Sequence, residues 1–216
     1  MERLRFRTAD GVELEGELRE PDGAVRASAV ICHPHPLEGG SKDHPLLWAI
    51  RNELASRGFA VLSFNFRGVM GSGGEHSKGV DEVRDARAAV DRVREESSGP
   101  TLLAGWSFGA NVALREALDD DRVGVLGLVG LPLAESSAAL PDLPGRSQLA
   151  RFGRPVLLVA GEADQFCPVP ELRSLGRRIP NADVAVLPGT DHFFWKRERE
   201  VGALIGDFAA RTLFVP

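Results

Sequence analysis

The sequence predicts an α/β protein with a mostly parallel central sheet, an antiparallel hairpin leading into one edge, and helices on both faces. Short, almost wholly apolar runs such as Ala29-Val30-Ile31-Cys32 and Leu102 to Trp106 suit strands buried on both faces. Between such runs lie segments with apolar residues at helical spacing, and strands that alternate with helices make a parallel sheet with both faces covered. A third pattern is confined to the N-terminal end. There, residues 2–7 and 12–19 alternate apolar and polar side chains about Asp10-Gly11, which is a hairpin signal.

In chain order, residues 29–32 form the first buried strand. Leu46, Leu47, Ile50 and Leu54 put one apolar face on a helix over 44–57, which stops at Gly58, a residue suited to closing helices. Residues 59–66 read as a strand, 80–95 as a helix, 102–106 as a strand and 108–118 as a helix. Strands follow at 123–129 and 156–160, then a helix at 170–179, a strand at 184–187 and a closing helix at 197–213. The long segment from Pro132 to Pro155 has no periodicity and is rich in Ser, Ala, Pro and Gly. It is expected to be a loop with one short helix, too short for a lid domain.

With 216 residues, 43% of them hydrophobic and 26% charged, the chain has the size and composition of one globular domain. A formal net charge of −5 gives no electrostatic reason to bind nucleic acid or an anionic membrane. Two cysteines, Cys32 and Cys167, are too few for a disulfide framework and read as small buried apolar residues flanking the site. The charged, alternating start from Met1 to Arg7 lacks the apolar run of a signal peptide, and the longest nearly apolar stretch, Val125 to Ala134, is too short to span a bilayer. A cytoplasmic protein acting on a small-molecule substrate is expected, with its oligomeric state left open.

Chemistry concentrates at strand ends. Gly105-Trp106-Ser107-Phe108-Gly109 follows a buried strand and opens a helix, the context a nucleophile elbow requires. The sharp turn exposes Ser107 and needs small neighbours where chain approaches chain, which Gly105 and Gly109 supply. A serine hydroxyl is a weak nucleophile until a base takes its proton. His192, after the last strand and before the last helix, is the candidate base. The base needs a carboxylate on its other nitrogen. Asp164, directly after the strand at 156–160, is the candidate, with Glu162 and Asp191 as competitors. Asp191 adjoins His192, and sequence neighbours seldom face each other.

The order Ser, Asp, His on a strand–helix scaffold is that of α/β-hydrolases. An oxyanion hole should then combine the N–H of Phe108 with one from the loop His33 to Gly40. Pro34 and Pro36 have no N–H to give, which leaves His35 and Leu37. His35-Pro36-Leu37-Glu38-Gly39 resembles the His-Gly-x-x-Gly loop of α/β-hydrolases, a likeness that points to Leu37. Phe64-Asn65-Phe66-Arg67-Gly68-Val69-Met70-Gly71-Ser72 resembles their Asp-x-Arg-Gly-x-Gly-x-Ser segment. Over nearly its whole length the sequence resembles the small, capless bacterial α/β-hydrolases of the dienelactone-hydrolase-like group. It departs from dienelactone hydrolase in having serine, not cysteine, as nucleophile. The resemblance implies the fold and the triad, and hardly constrains the substrate.

Other signals carry less. The stretch Gly68 to Gly79 lacks the endings of phosphate-binding and dinucleotide loops, so no cofactor is expected. His33 and His35 read as packed or hydrogen-bonded loop residues and not, with His192, as a metal site. Trp106 and Phe193 are expected in the pocket wall. Phe194, Trp195 and Met70 divide between wall and core, with core expected for most. The leading functional reading is an esterase or thioesterase working through an acyl-enzyme on Ser107. The alternative is a non-catalytic interaction protein that keeps the fold.

Overall fold

The computed structural model describes residues 1–134 and 140–214. Strands β1 (Glu2–Arg7) and β2 (Glu13–Arg19) form the expected antiparallel hairpin. They are followed by β3 (Ala27–Cys32), β4 (Phe59–Phe64), β5 (Thr101–Trp106), β6 (Val123–Val129), β7 (Val156–Gly161) and β8 (Ala182–Leu187). The sheet order is β1-β2-β4-β3-β5-β6-β7-β8. Pairing is antiparallel at β1–β2 and β2–β4 and parallel from β4 onward. Every residue of β3, β4, β5 and β7 is buried, which is why these strands read as unbroken apolar runs and not as alternating ones.

Six helices cover the sheet among the described residues: α1 (Pro45–Ser56), α2 (Glu82–Val93), α3 (Phe108–Asp119), α4 (Arg146–Arg151), α5 (Val169–Gly176) and α6 (Glu198–Leu213). On one face Leu46, Leu47, Ile50 and Leu54 of α1 pack with Val201, Ile205 and Phe208 of α6 against Ile31, Val61, Val125 and Val159. On the other face α2, α3, α4 and α5 cover Val30, Leu62, Leu103, Leu126 and Leu158. Alternate residues of each strand thus feed opposite cores.

Element edges shift from the sequence reading by at most three residues. Strand β3 starts at Ala27 because Ser28 is buried, its hydroxyl bonded to that of Thr101 at 2.9 Å. Strand β4 stops at Phe64, where Asn65 turns to accept the Lys42 N–H at 2.8 Å. The short helix expected between residues 132 and 155 is α4; residues 135–139 of that segment lie outside the described residues. No helix among the described residues is long and apolar enough to cross a membrane.

Candidate active site

Parallel strands deliver their carboxyl ends to one edge of the sheet, and crevices there receive the residues that follow each strand. Ser107 joins β5 to α3 with φ of +55°, a left-handed conformation that a side chain normally avoids. What holds it is close backbone packing. A Cβ on Gly105 would lie 2.2 Å from the Gly109 carbonyl oxygen, and one on Gly109 would lie 2.3 Å from that of Cys32. Any larger residue at either position would push α3 off the sheet. The Ser107 N–H donates to the Val129 carbonyl at 2.8 Å, which pins the turn to β6.

Asp164, just past β7, is buried. Its Oδ1 accepts the backbone N–H groups of Phe166 and Cys167, both at 2.9 Å, which fixes the carboxylate in place. His192, also buried, follows β8. Its Nδ1 lies 2.9 Å from each Asp164 oxygen and its Nε2 lies 2.9 Å from Ser107 Oγ. A carboxylate can only accept, so Nδ1 carries the proton and donates, and Nε2 is left to accept the serine O–H. The fold therefore brings Ser107, Asp164 and His192 into one hydrogen-bonded chain. The two competing carboxylates are engaged locally. Glu162 is exposed and accepts the Gly189 N–H, and Asp191 accepts the Phe193 N–H.

The β3–α1 loop reaches the same place. The 3₁₀ turn Pro36–Glu38 opens on His35, whose Nδ1 accepts the Leu37 N–H at 3.2 Å. That N–H, one of the two oxyanion candidates, is thus occupied. Those of His35 and Phe108 have no acceptor among the described residues. The His35 ring stands 5.3 Å from that of Phe108, and the chain at Cys32 and His33 lies directly on Gly109, so His35 flanks the start of α3. His33 is buried. Its Nε2 accepts the Phe66 N–H and its Nδ1 donates to the Pro34 carbonyl, so neither nitrogen is free for a metal. Burial holds its pKa down at about 4.

One pocket expectation, that for Trp106, and the core expectations need correction. Trp106 is only 3% exposed and belongs to the core beneath α1 and α6. Strand alternation aims its side chain into that layer, where its indole N–H donates to the His192 carbonyl at 3.2 Å. Of the residues expected mostly in the core, only Phe194 is buried. Met70 and Trp195 are exposed because both sit on turns, Met70 itself at φ of +51°. Phe193 at 41% exposure, Trp195 at 62% and Leu37 at 72% are apolar side chains facing solvent on the loops that follow β8 and β3. Cys32 and Cys167 are buried thiols, and burial raises the pKa of both.

Two residues with no chemical signature shape the site. Gly130 has φ of +55°, and a Cβ there would sit 2.9 Å from His192 Cε1 and 3.4 Å from Asp164 Oδ2. Phe166 lies across the imidazole, with ring centroids 4.8 Å apart. In the sequence, Gly130 was detectable only as a glycine ending a buried strand.

A model of the family described as "Alpha/beta hydrolase domain" matches residues 27–205. An uncharacterized protein of Rickettsia prowazekii is 28% identical, over 96% of this chain and 88% of its own. The solved structure of an α/β serine hydrolase homologue from Coxiella burnetii is 30% identical and covers 95% of this chain and 96% of its own, with a TM-score of 0.83. A Xanthomonas campestris protein, described as an α/β serine hydrolase without lid, is 27% identical and covers 100% of this chain and 96% of its own, with a TM-score of 0.81. Sequence match, sheet topology and strand-end geometry agree: the chain belongs to the α/β-hydrolase domain family.

Proposed function

We propose that the protein hydrolyses small carboxylic esters or thioesters through an acyl-enzyme on Ser107. The observation that carries this reading is the continuous chain from Asp164 through His192 to Ser107, every link at 2.9 Å. In the first half-reaction His192 Nε2 takes the hydroxyl proton as Ser107 Oγ attacks the substrate carbonyl carbon. The tetrahedral intermediate collapses, and the leaving alcohol or thiol departs with the proton that His192 returns. In the second half-reaction His192 takes a proton from water, the hydroxide attacks the acyl carbon, and Ser107 regains its proton as the acid leaves. Asp164 orients the imidazole and stabilises its charged form.

The oxyanion needs two donors. The Phe108 N–H, at the start of α3, is one, aided by the positive end of that helix. The His35 N–H is assigned as the other, in preference to Leu37, because the Leu37 N–H is already bonded to a side chain. Leu37 and Phe193 remain as exposed apolar wall for the acyl group. The test is turnover of p-nitrophenyl acetate by wild type and Ser107→Ala. The expected loss is about a thousandfold or more. Activity within a few-fold of wild type would sink the assignment.

A further inference from the structure

The His35 ring has a task separate from its backbone. The loop between β3 and α1 must present a backbone N–H at the start of α3, yet it is short, exposed at its tip and interrupted by two prolines that cannot brace it with N–H bonds of their own. At its tip one side-chain bond caps the 3₁₀ turn, with His35 Nδ1 accepting the Leu37 N–H. Backbone bonds from Glu38 and Gly40 to the His35 carbonyl close the same turn. All three meet on one residue.

Two neighbours pack against the His35 ring. It packs edge-on against Phe108 at 5.3 Å and against His76 at 5.3 Å, and His76 in turn lies 5.5 Å from Phe108. His76 also lies beside Glu82. Its Nδ1 is 2.8 Å from an oxygen of that fully buried carboxylate but without hydrogen-bond geometry, and the carboxylate accepts the Ser77 N–H, the Ser77 hydroxyl and the Gly79 N–H. A column thus runs from the buried Glu82 through the half-buried rings of His76 and His35 to the loop that flanks Ser107.

We propose that the His35 imidazole is a positioning residue for the oxyanion hole, holding the β3–α1 loop in its working shape only while Nδ1 is unprotonated. A protonated ring has an N–H at Nδ1 and cannot accept from Leu37, so the cap breaks. The surroundings keep the ring neutral. Burial lowers its pKa from the ordinary 6.5, and the adjacent His76 lowers it further, against smaller opposing pulls from Glu38 and Glu82. His33, two residues earlier, is uncharged at neutral pH, and α3 presents only the apolar Phe108. This role rests on the acyl-enzyme reading above, because an oxyanion hole has meaning only for that chemistry.

Asparagine separates cap from charge, since it caps well and does not titrate. His35→Ala is expected to lower kcat at pH 8 by about tenfold or more with KM within about threefold, as loss of an oxyanion donor would. His35→Asn is expected to restore kcat to within about threefold. In wild type, log kcat/KM should steepen at the acid end by an additional fall of about tenfold as His35 protonates, whereas the asparagine variant should lack that steepening. An alanine variant within twofold of wild type, or an asparagine variant with the same steepening, would overturn the proposal. A readout independent of turnover is the Leu37 amide followed by NMR, which should shift along the His35 titration in wild type. A Leu37 amide indifferent to that titration would also overturn it. Failure of the wild-type protein to turn over any ester is a different result. It would defeat the acyl-enzyme reading while the amide titration still decided whether the ring caps the loop.

Discussion

At the scale of single residues, the site is legible in the sequence where a residue type has only one chemical use. A serine between two glycines at a strand end, an aspartate after the next-but-one strand and a histidine after the last one are recognisable because each needs the others. The fold brings the three within 2.9 Å links. Choosing among carboxylates from sequence relied on strand position. The structure adds the reason, since Glu162 and Asp191 are tied to nearby backbone. Asp164→Asn should therefore lower kcat by about ten-thousandfold, through loss of the correct histidine tautomer, while Glu162→Gln stays within about twofold. Steady-state kinetics on an activated ester check both, and the reverse ranking would reassign the carboxylate. Gly130 was not legible, because a glycine carries no functional group and its role is to leave room. Gly130→Ala should cut kcat/KM by about tenfold or more, since the methyl would meet His192 and the backbone there has φ of +55°. Wild-type kinetics in a folded alanine variant, verified by circular dichroism, would contradict this.

At the scale of elements, strand and helix existence followed from periodicity, and errors gathered where side chains override it. Trp106 ends an apolar strand beside the nucleophile, so its place in the sequence suggested a pocket wall, yet strand alternation turns it into the core. The segment from Phe64 to Ser72, which carries part of the resemblance, is scaffold. Arg67 pairs with the fully buried Asp85 at 2.7 Å and with Asp10 at 3.0 Å, and Ser72 donates to the Asn65 carbonyl at 2.7 Å. These bonds hold the β4–α2 connection against the hairpin, and the same connection carries His76. Replacing Asp85 by alanine leaves a buried guanidinium short of its partner and should cost about 3–5 kcal/mol in urea unfolding. A loss under about 1 kcal/mol would show that the connection is held by other contacts.

At the scale of the whole molecule, two properties follow from how the sheet is covered. One is pH-dependent stability. Glu116 of α3 is fully buried, and burial raises its pKa to about 7 against an ordinary 4.5, with Arg87 opposing the rise and Asp120 adding to it. A carboxyl with a raised folded pKa stabilises most where it is protonated, below its unfolded value, and that contribution is lost as pH climbs through the folded value. Glutamine mimics the protonated form, so the stability of Glu116→Gln relative to wild type should increase from pH 5 to pH 8 by on the order of 1–3 kcal/mol. A difference that does not change with pH would contradict this. The other property is access. The loop where larger relatives of the fold insert a lid contributes only the six-residue α4 among the described residues, and Leu37 and Phe193, on the loops after β3 and β8, face solvent. Each buried methylene contributes about 0.8 kcal/mol, and an exposed wall buries few, so selectivity for acyl length should be shallow and favour short chains. A steep rise in kcat/KM from acetyl to palmitoyl esters would refute that. The central claim, a covalent intermediate on Ser107, is tested most directly by intact-protein mass spectrometry after treatment with a fluorophosphonate, followed by peptide mapping. The account predicts one adduct, located on Ser107 and absent from Ser107→Ala; an unmodified wild-type protein, or an adduct that persists in the alanine variant, would contradict it.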